Sequence, residues 1–214
     1  MYDSNFYRRN LPHWQPPHAE YFVTFRLKGS LPKSVIKQLK EAQELFDEEY
    51  SESDKINLMA KKGYAEIFKK YEKLLDASKS GPTWLAIPKI ARIIQEALLH
   101  RDQNEYDLYA FCIMSNHVHI IFKLLDAFEE SIKFPVTEIF KKLKSFTALK
   151  ANQKLGRTGS FWHAESYDRV IRDEDELENT IRYVLNNPVK AGLVKNWKEW
   201  EHTYCKPEFL QSLI

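Results

Sequence analysis

The pattern that most constrains this chain is a predicted β-hairpin with two histidines directly after its turn. Tyr106–Met114 and His117–Leu124 are apolar runs rich in β-branched and aromatic residues, and the Ser115-Asn116 pair between them is typical of a turn. Because successive side chains of a strand point to opposite faces, we expect His117 and His119 to share one face of the sheet.

Two imidazoles one strand repeat apart can bind a single divalent metal ion. For an isolated His-x-His, two ordinary surface histidines on an edge strand are the more frequent case. The rest of the chain has to decide between these two interpretations.

Composition excludes some functions and leaves others open. The 214 residues suit one elaborated domain or two small ones, and a hydrophobic fraction of 43% is enough for a packed core. The net charge of +2 does not by itself indicate a polyanionic partner, so a nucleic-acid interface would depend on local charge. Two distant cysteines, no signal-peptide pattern and no apolar run of about 20 residues predict a cytoplasmic protein without a membrane partner.

The order of predicted elements indicates an α+β fold. It is strand, helices, strand–strand, helix, strand, helix, which is the ferredoxin-like β-α-β-β-α-β arrangement with a terminal helix appended. We expect an antiparallel sheet with the helices on one face. The supporting segments are a strand at Tyr21–Leu27, a helix from Pro88 through Leu98, a helix at about Val136–Leu155, a short strand at Tyr167–Ile171 and a helix after Asp173.

The remaining segments carry weaker patterns. The proline-rich stretch Arg8–Pro17 is predicted to be an extended loop. A charged helical hairpin, at about residues 32–80, is predicted to be inserted into the main domain. We therefore expect a single domain over residues 1–197 and a poorly patterned tail over residues 198–214.

Two further groups could join the histidine pair in one site. On the last helix, Tyr183 and Asn187 are four residues apart and so lie on one helical face. A tyrosine phenol can attack phosphorus, and an amide oxygen can complete a metal site made by two imidazoles. The helix over about Val136–Leu155 has a basic face that could follow a phosphate backbone.

Each of these features also has an ordinary structural interpretation. Tyr183 is one of 11 tyrosines, and a tyrosine is more often a core or interface residue than a nucleophile. An asparagine before a proline, as at Asn187, often ends a helix. A basic helix face is usually only solvated.

Four motifs together resemble the REP-associated tyrosine transposases, within the His-hydrophobe-His single-tyrosine nucleases. The opening segments Arg8–Trp14 and Tyr21–Leu27 match the same group, so the resemblance extends over about residues 8–197. The four motifs are Asn116-His117-Val118-His119, Lys144-Ser145-Phe146-Thr147-Ala148, Tyr167–Glu174 and Tyr183–Val194.

The resemblance implies a function and a role for each matching residue. His117, His119 and Asn187 would bind the divalent metal, Mg²⁺ or Mn²⁺. Tyr183 would attack single-stranded DNA and form a 5′-phosphotyrosine, with Tyr167 as a rival nucleophile. The expected partner is single-stranded or hairpin DNA of the REP-type palindromic repeats, in a cytoplasmic, nucleoid-associated protein. The predicted DNA contacts are Lys141, Lys142, Lys144, Lys150, Arg157 and Arg169.

Two alternatives to a nicking and joining transposase stay open. A catalytically inactive relative would bind hairpin DNA without cutting it, although the intact His117, His119, Tyr183 and Asn187 argue against this. A zinc hydrolase of small substrates would need a third strong ligand or a His-Glu-x-x-His pattern, which the sequence lacks. The sequence leaves the oligomeric state undecided, with a monomer favoured, and the long segment over about residues 32–80 departs from the short link of many single-tyrosine transposases.

Overall fold

A five-stranded antiparallel sheet organises the computed structural model, which describes residues 6–8, 12–38, 41, 44, 71–75 and 81–210. The strand order is β6-β3-β5-β4-β7, and a separate small hairpin is formed by β1 and β2. The strands are β1 (Phe6–Arg8), β2 (Pro12–Trp14), β3 (Glu20–Arg26), β4 (Tyr106–Ile113), β5 (His117–Leu124), β6 (Tyr167–Ile171) and β7 (Thr203–Cys205).

The helices connect these strands in the predicted way. Helix α1 follows β3, a tight turn joins β4 to β5, and α3 leads from β5 to β6, so the ferredoxin-like α+β fold is confirmed. The helices labelled here are α1 (Pro88–Leu99), α2 (Asp126–Glu129), α3 (Pro135–Leu155), α4 (Glu174–Leu185) and α5 (Asn187–Lys190).

Local signals in the sequence explain where the main helices begin and end. Pro88 and Pro135 occupy the first turns of α1 and α3, where the missing N–H costs nothing. Gly156 ends α3 in a left-handed conformation with φ of 62°. Asp173 caps α4 by accepting a hydrogen bond of 2.7 Å from the backbone N–H of Glu176.

The sheet has an apolar core on each of its faces. Along β5, Val118 and Ile120 pack against α1 and α3, whereas Ile121 points to the opposite face, where α4 packs. We call these the α3 face and the α4 face. The expectation of helices on one face holds for α1 and α3, but the appended helix α4 covers the other face. The central strands carry apolar side chains on both faces, so each face of the sheet must be buried by packed helices.

Two weakly patterned segments form strands. The stretch predicted as extended loop, Arg8–Pro17, contains β2 and the last residue of β1, which pair with each other. Residues from the predicted tail form β7, which pairs with β4 and adds the fifth strand. Such short strands at an edge carry little periodicity, so the pattern did not reveal them.

The predicted helical hairpin falls largely outside the described residues, although residues 33–38 and 71–75 are helical. Within the described ranges, no helix is both long and apolar enough to cross a membrane.

A buried charge cluster attaches the amino-terminal hairpin to the α3 face. The Nδ1 atom of His13 forms a very short contact with Asp168 on β6, and its Nε2 atom lies 3.4 Å from Glu165. The ring of Tyr7 stacks on His13 with centroids 4.7 Å apart. Burial alone would lower the pKa of His13, but attraction and hydrogen bonds from Asp168 and then Glu165 outweigh it and raise this pKa to about 9.

Because of this cluster, the free energy of unfolding should decrease as the pH becomes alkaline. A histidine whose pKa is raised on folding contributes its full stabilisation below the unfolded value of about 6.5 and loses it as pH rises through about 9. We therefore expect the free energy of unfolding to fall between these pH values by on the order of 3 kcal/mol. Urea titrations should show a flatter pH profile for His13→Gln than for wild type. The exposed His18→Gln variant serves as the control, and identical profiles for wild type and His13→Gln would contradict the prediction.

Candidate active site

The two histidines of β5 lie on the α4 face, with their rings directed at each other. His117 and His119 are 1% and 0% exposed, and their Nε2 atoms are 3.0 Å apart. They are therefore not the surface histidines of an edge strand, because β5 lies in the centre of the sheet between β3 and β4.

Each imidazole is held by a contact to its Nδ1 atom. His117 Nδ1 lies 2.6 Å from the side-chain oxygen of Asn116, and His119 Nδ1 lies 2.8 Å from the hydroxyl of Thr24. If both Nδ1 atoms carry the proton, both Nε2 atoms present lone pairs to the same point. Two lone pairs repel each other at 3.0 Å unless a proton or a metal ion lies between them.

The residues present therefore fit a divalent metal ion. Imidazoles with fixed tautomers are ready ligands, and a hydrogen-bond partner on the far nitrogen is typical of metal-binding histidines. Imidazole suits Mn²⁺ and other borderline ions, whereas Mg²⁺ prefers oxygen ligands.

Tyr183 reaches the histidine pair across the interface between α4 and β5. Its ring centroid lies 5.6 Å from that of His119 and 6.1 Å from that of Phe22, both in edge-on arrangements. The Nζ atom of Lys190 lies 4.4 Å from the ring centroid of Tyr183. The ring of Tyr183 is thus next to the His119 imidazole and a positive charge.

Asn187 is buried one helical turn after Tyr183. It is the first residue of α5 and is 2% exposed, and its amide nitrogen has no hydrogen-bond partner among the described residues. A buried N–H donor without a partner is costly in a folded protein, and this one suits an acceptor such as a phosphate oxygen rather than a metal ion.

Tyr167, the rival nucleophile, lies on the same sheet face but has a different environment. It pairs with Thr24, which in turn pairs with His119, so one strand separates it from the histidine. Its ring stacks on Tyr71 with centroids 3.5 Å apart. Burial, opposed by Arg26, raises the pKa of Tyr167 to about 12, which disfavours the phenolate.

Arg26 brings a buried guanidinium to the α4 face. It pairs directly across from His117 and is 3% exposed, and its Nε atom lacks a hydrogen-bond partner among the described residues. Its Nη1 atom makes long contacts, at 3.4 Å to Ser30 and 3.5 Å to the carbonyl of Leu27, and its side chain also hydrogen-bonds to that of Tyr71. A buried guanidinium on this face can attract a phosphate.

Three of the predicted DNA contacts are engaged within the protein. Lys144 donates to the carbonyl of His163 at 3.1 Å and to those of the next two residues. Arg157 lies 4.0 Å above the ring of Trp84. Arg169 joins β6 to α4 by donating to Glu176 at 2.5 Å and to Thr180 at 2.9 Å.

The other three predicted contacts, Lys141, Lys142 and Lys150, line a groove of about 1220 Å³ between α1 and α3. Lys141 is paired with Glu138 at 3.1 Å, and Phe146 is exposed in the same groove. The groove lies on the α3 face, so the sheet separates it from the histidine pair. A DNA strand touching both would have to pass around an edge of the sheet.

Sequence reasoning missed several polar residues of the site. Thr24 and Arg26 alternate with apolar residues along β3, and this period-two pattern could have placed them on one face with a common role. Asn116 is predicted as a turn residue and belongs to a matching motif, but the sequence assigns it no contact with His117. Glu72, whose Oε1 atom lies 3.4 Å from His119 Nδ1, comes from the charged inserted segment and carries no local signal.

Comparisons with known proteins point to the transposases. The family model described as transposase IS200 like matches residues 87–187, a span that begins just before α1 and ends at Asn187. A Haemophilus influenzae protein assigned as a REP-associated tyrosine transposase is 28% identical over 102 residues, which cover 46% of this chain. The matched region covers 58% of that relative, so the chain spans a little over half of its length.

The chain resembles the REP-associated tyrosine transposases. This prediction from the motifs is confirmed by the family match and the relative together. A solved REP-associated tyrosine transposase bound to a REP hairpin has the same fold, with a TM-score of 0.51 and 14% sequence identity. That likeness covers 95% of this chain and 82% of the solved one, so it includes the regions outside residues 87–187.

Proposed function

We propose that this protein is a metal-dependent transposase that nicks and joins single-stranded DNA at palindromic hairpin repeats. The observation that carries the proposal is the position of Tyr183, whose ring lies 5.6 Å from that of His119 beside two converging imidazoles. The resemblance to the REP-associated tyrosine transposases adds the class of DNA substrate.

The chemistry follows from the residues around the phenol. When bound by His117, His119 and Asn187, a divalent ion would withdraw charge from a non-bridging oxygen of the scissile phosphate. Tyr183 would form the new bond to phosphorus, and the bond to the 3′ oxygen would break. The products are a 5′-phosphotyrosine and a free 3′-OH, and the reverse reaction can join a new 3′ end without ATP.

The environments of the two tyrosines support Tyr183 as the nucleophile. The Lys190 ammonium lies over the Tyr183 ring, where it can attract a phosphate. Tyr167, by contrast, is stacked under Tyr71 and its pKa is raised to about 12.

Hairpin DNA with single-stranded flanks, labelled at its 3′ end, tests this function. The downstream fragment keeps the label and becomes attached to the protein, so Mn²⁺ or Mg²⁺ should produce a labelled band that resists denaturation. Trypsin should release the attached nucleotide on the peptide 183–190, whereas attack by Tyr167 would place it on the peptide 158–169. Specific hairpin binding without any adduct, under every divalent ion, would instead support a non-cutting DNA-binding protein.

The groove between α1 and α3 provides a separate prediction about DNA affinity. Lysine charges beside an exposed aromatic ring suit a single strand, whose phosphates bind the lysines while bases stack. We expect Lys142→Glu and Lys150→Glu each to weaken DNA binding and to lower the slope of log affinity against log salt by about one. Fluorescence anisotropy at several salt concentrations measures both quantities. Lys89→Glu, on α1 but outside the groove lining, is the control, and unchanged slopes in the groove variants would assign these lysines to solvation alone.

A further inference from the structure

A carboxylate from the inserted segment lies against the histidine pair. Glu72, within the helical residues 71–75, is only 6% exposed. Its Oε1 atom accepts a hydrogen bond of 3.0 Å from the Thr24 hydroxyl and lies 3.4 Å from His119 Nδ1. Buried carboxylates are rare unless neighbouring groups stabilise them, and here those neighbours belong to the candidate active site.

The direction of these hydrogen bonds determines the tautomer of His119. The Thr24 hydroxyl has one proton, which it donates to Glu72, so it must accept at its other contact, 2.8 Å from His119 Nδ1. His119 therefore carries its proton on Nδ1. Its Nε2 lone pair is left to face His117, at the point where the two rings converge.

The position of Glu72 distinguishes a supporting role from direct metal binding. The carboxylate contacts Nδ1, which is the ring nitrogen on the far side from His117. A carboxylate behind a metal-binding imidazole orients the ring and raises its basicity.

Packing around the same short helix holds Glu72 in place. Tyr71 stacks on Tyr167 of β6, and both Tyr71 and Leu75 are buried in a small apolar cluster with Leu31. Residues 71–75 are thus attached to the sheet on both sides of Glu72, and the carboxylate has a defined position beside Thr24.

We propose that Glu72 is a positioning residue that acts on His119 through Thr24, so that the inserted segment is part of the active site. This inference rests on the proposed function, because it assigns His119 to a metal site. It gives the insertion, which is longer than the link in many single-tyrosine transposases, a role in assembling that site.

Metal binding by the full chain, without DNA, tests the proposal. Calorimetric titration with Mn²⁺ should show affinity lower by about 10-fold or more for Glu72→Gln and for Thr24→Val. Thr24→Ser keeps the hydroxyl and should stay within about twofold of wild type. Glu41→Gln, an exposed glutamate of the same inserted segment, is the matched control and should leave the affinity unchanged. Wild-type affinity in both Glu72→Gln and Thr24→Val would overturn the proposal.

The tautomer of His119 gives a readout that does not depend on metal. Nitrogen–proton correlation spectra of the metal-free protein should show the Nδ1–H form in wild type and in Thr24→Ser. In Glu72→Met, the Thr24 hydroxyl is free to donate to Nδ1, so the Nε2–H form should appear. An unchanged tautomer in that variant would overturn the role of Glu72. If wild type binds no Mn²⁺, the metal site of the proposed function fails, while these spectra still decide whether Glu72 orients His119.

Discussion

Tyr183→Phe should abolish the covalent protein–DNA adduct, with a loss of at least about 10³-fold in the rate of its formation. Phenylalanine lacks the oxygen that would bond to phosphorus, but it preserves the edge-on packing of the ring against His119 and Phe22. We therefore expect DNA affinity to stay within a few-fold of wild type. Denaturing electrophoresis of 3′-labelled hairpin DNA measures the adduct, and fluorescence anisotropy measures binding.

Tyr167→Phe is the matched control for this experiment. It removes a hydroxyl from the same sheet face while retaining the ring that stacks on Tyr71. Adduct formation should persist in this variant. The opposite result, with an adduct from Tyr183→Phe and none from Tyr167→Phe, would transfer the nucleophile to β6.

His117→Ala combined with His119→Ala should eliminate Mn²⁺ binding and strongly reduce the rate of DNA cleavage. The two converging imidazoles are the only pair of histidine rings in such contact among the described residues, and their removal takes away both nitrogen ligands. A metal ion contributes several kcal/mol to charge stabilisation in the transition state, so we expect a loss of about 10³-fold in cleavage rate. Chelation of the wild-type protein should have the same effect and should be reversed by added Mn²⁺.

A second group of side chains provides the control for metal binding. His18, Asp126 and Glu129 lie close enough to hold an ion, but they are far more exposed, and Glu129 also accepts from the backbone N–H of His18. His18→Ala should leave cleavage unchanged. If His18→Ala removes the high-affinity Mn²⁺ site and the double variant does not, the metal is bound by the His18 group and not by the histidine pair.

Much of the fold could be predicted because its signals are local. The apolar runs of β3, β4 and β5, the turn between the last two and the capping residue Asp173 each depend on neighbours within a few positions. The hairpin β1–β2 and the edge strand β7 were missed, because three-residue strands depend on their pairing partners more than on their own pattern.

The candidate site could be predicted only in part. The spacing of His117 and His119, and of Tyr183 and Asn187, was visible because each pair lies within one element. The sequence allowed the basic helix α3 to join these pairs in one site. It instead covers the face of the sheet opposite to the histidine pair. Both faces of the sheet are apolar, so the charge pattern of a helix does not specify the face on which that helix packs.

The sequence alone determined the order of elements, the shared face of the two histidines and the resemblance to the tyrosine transposases. These depend on the period of a strand or a helix and on residues close together in the chain. Only the tertiary structure decided that α4 brings Tyr183 to His119, and that Glu72 reaches the same imidazole through Thr24. The two hydrogen-bonding partners of Thr24 are 48 and 95 positions away from it in the chain. Burial of apolar surface on both faces of the sheet brings such distant residues together.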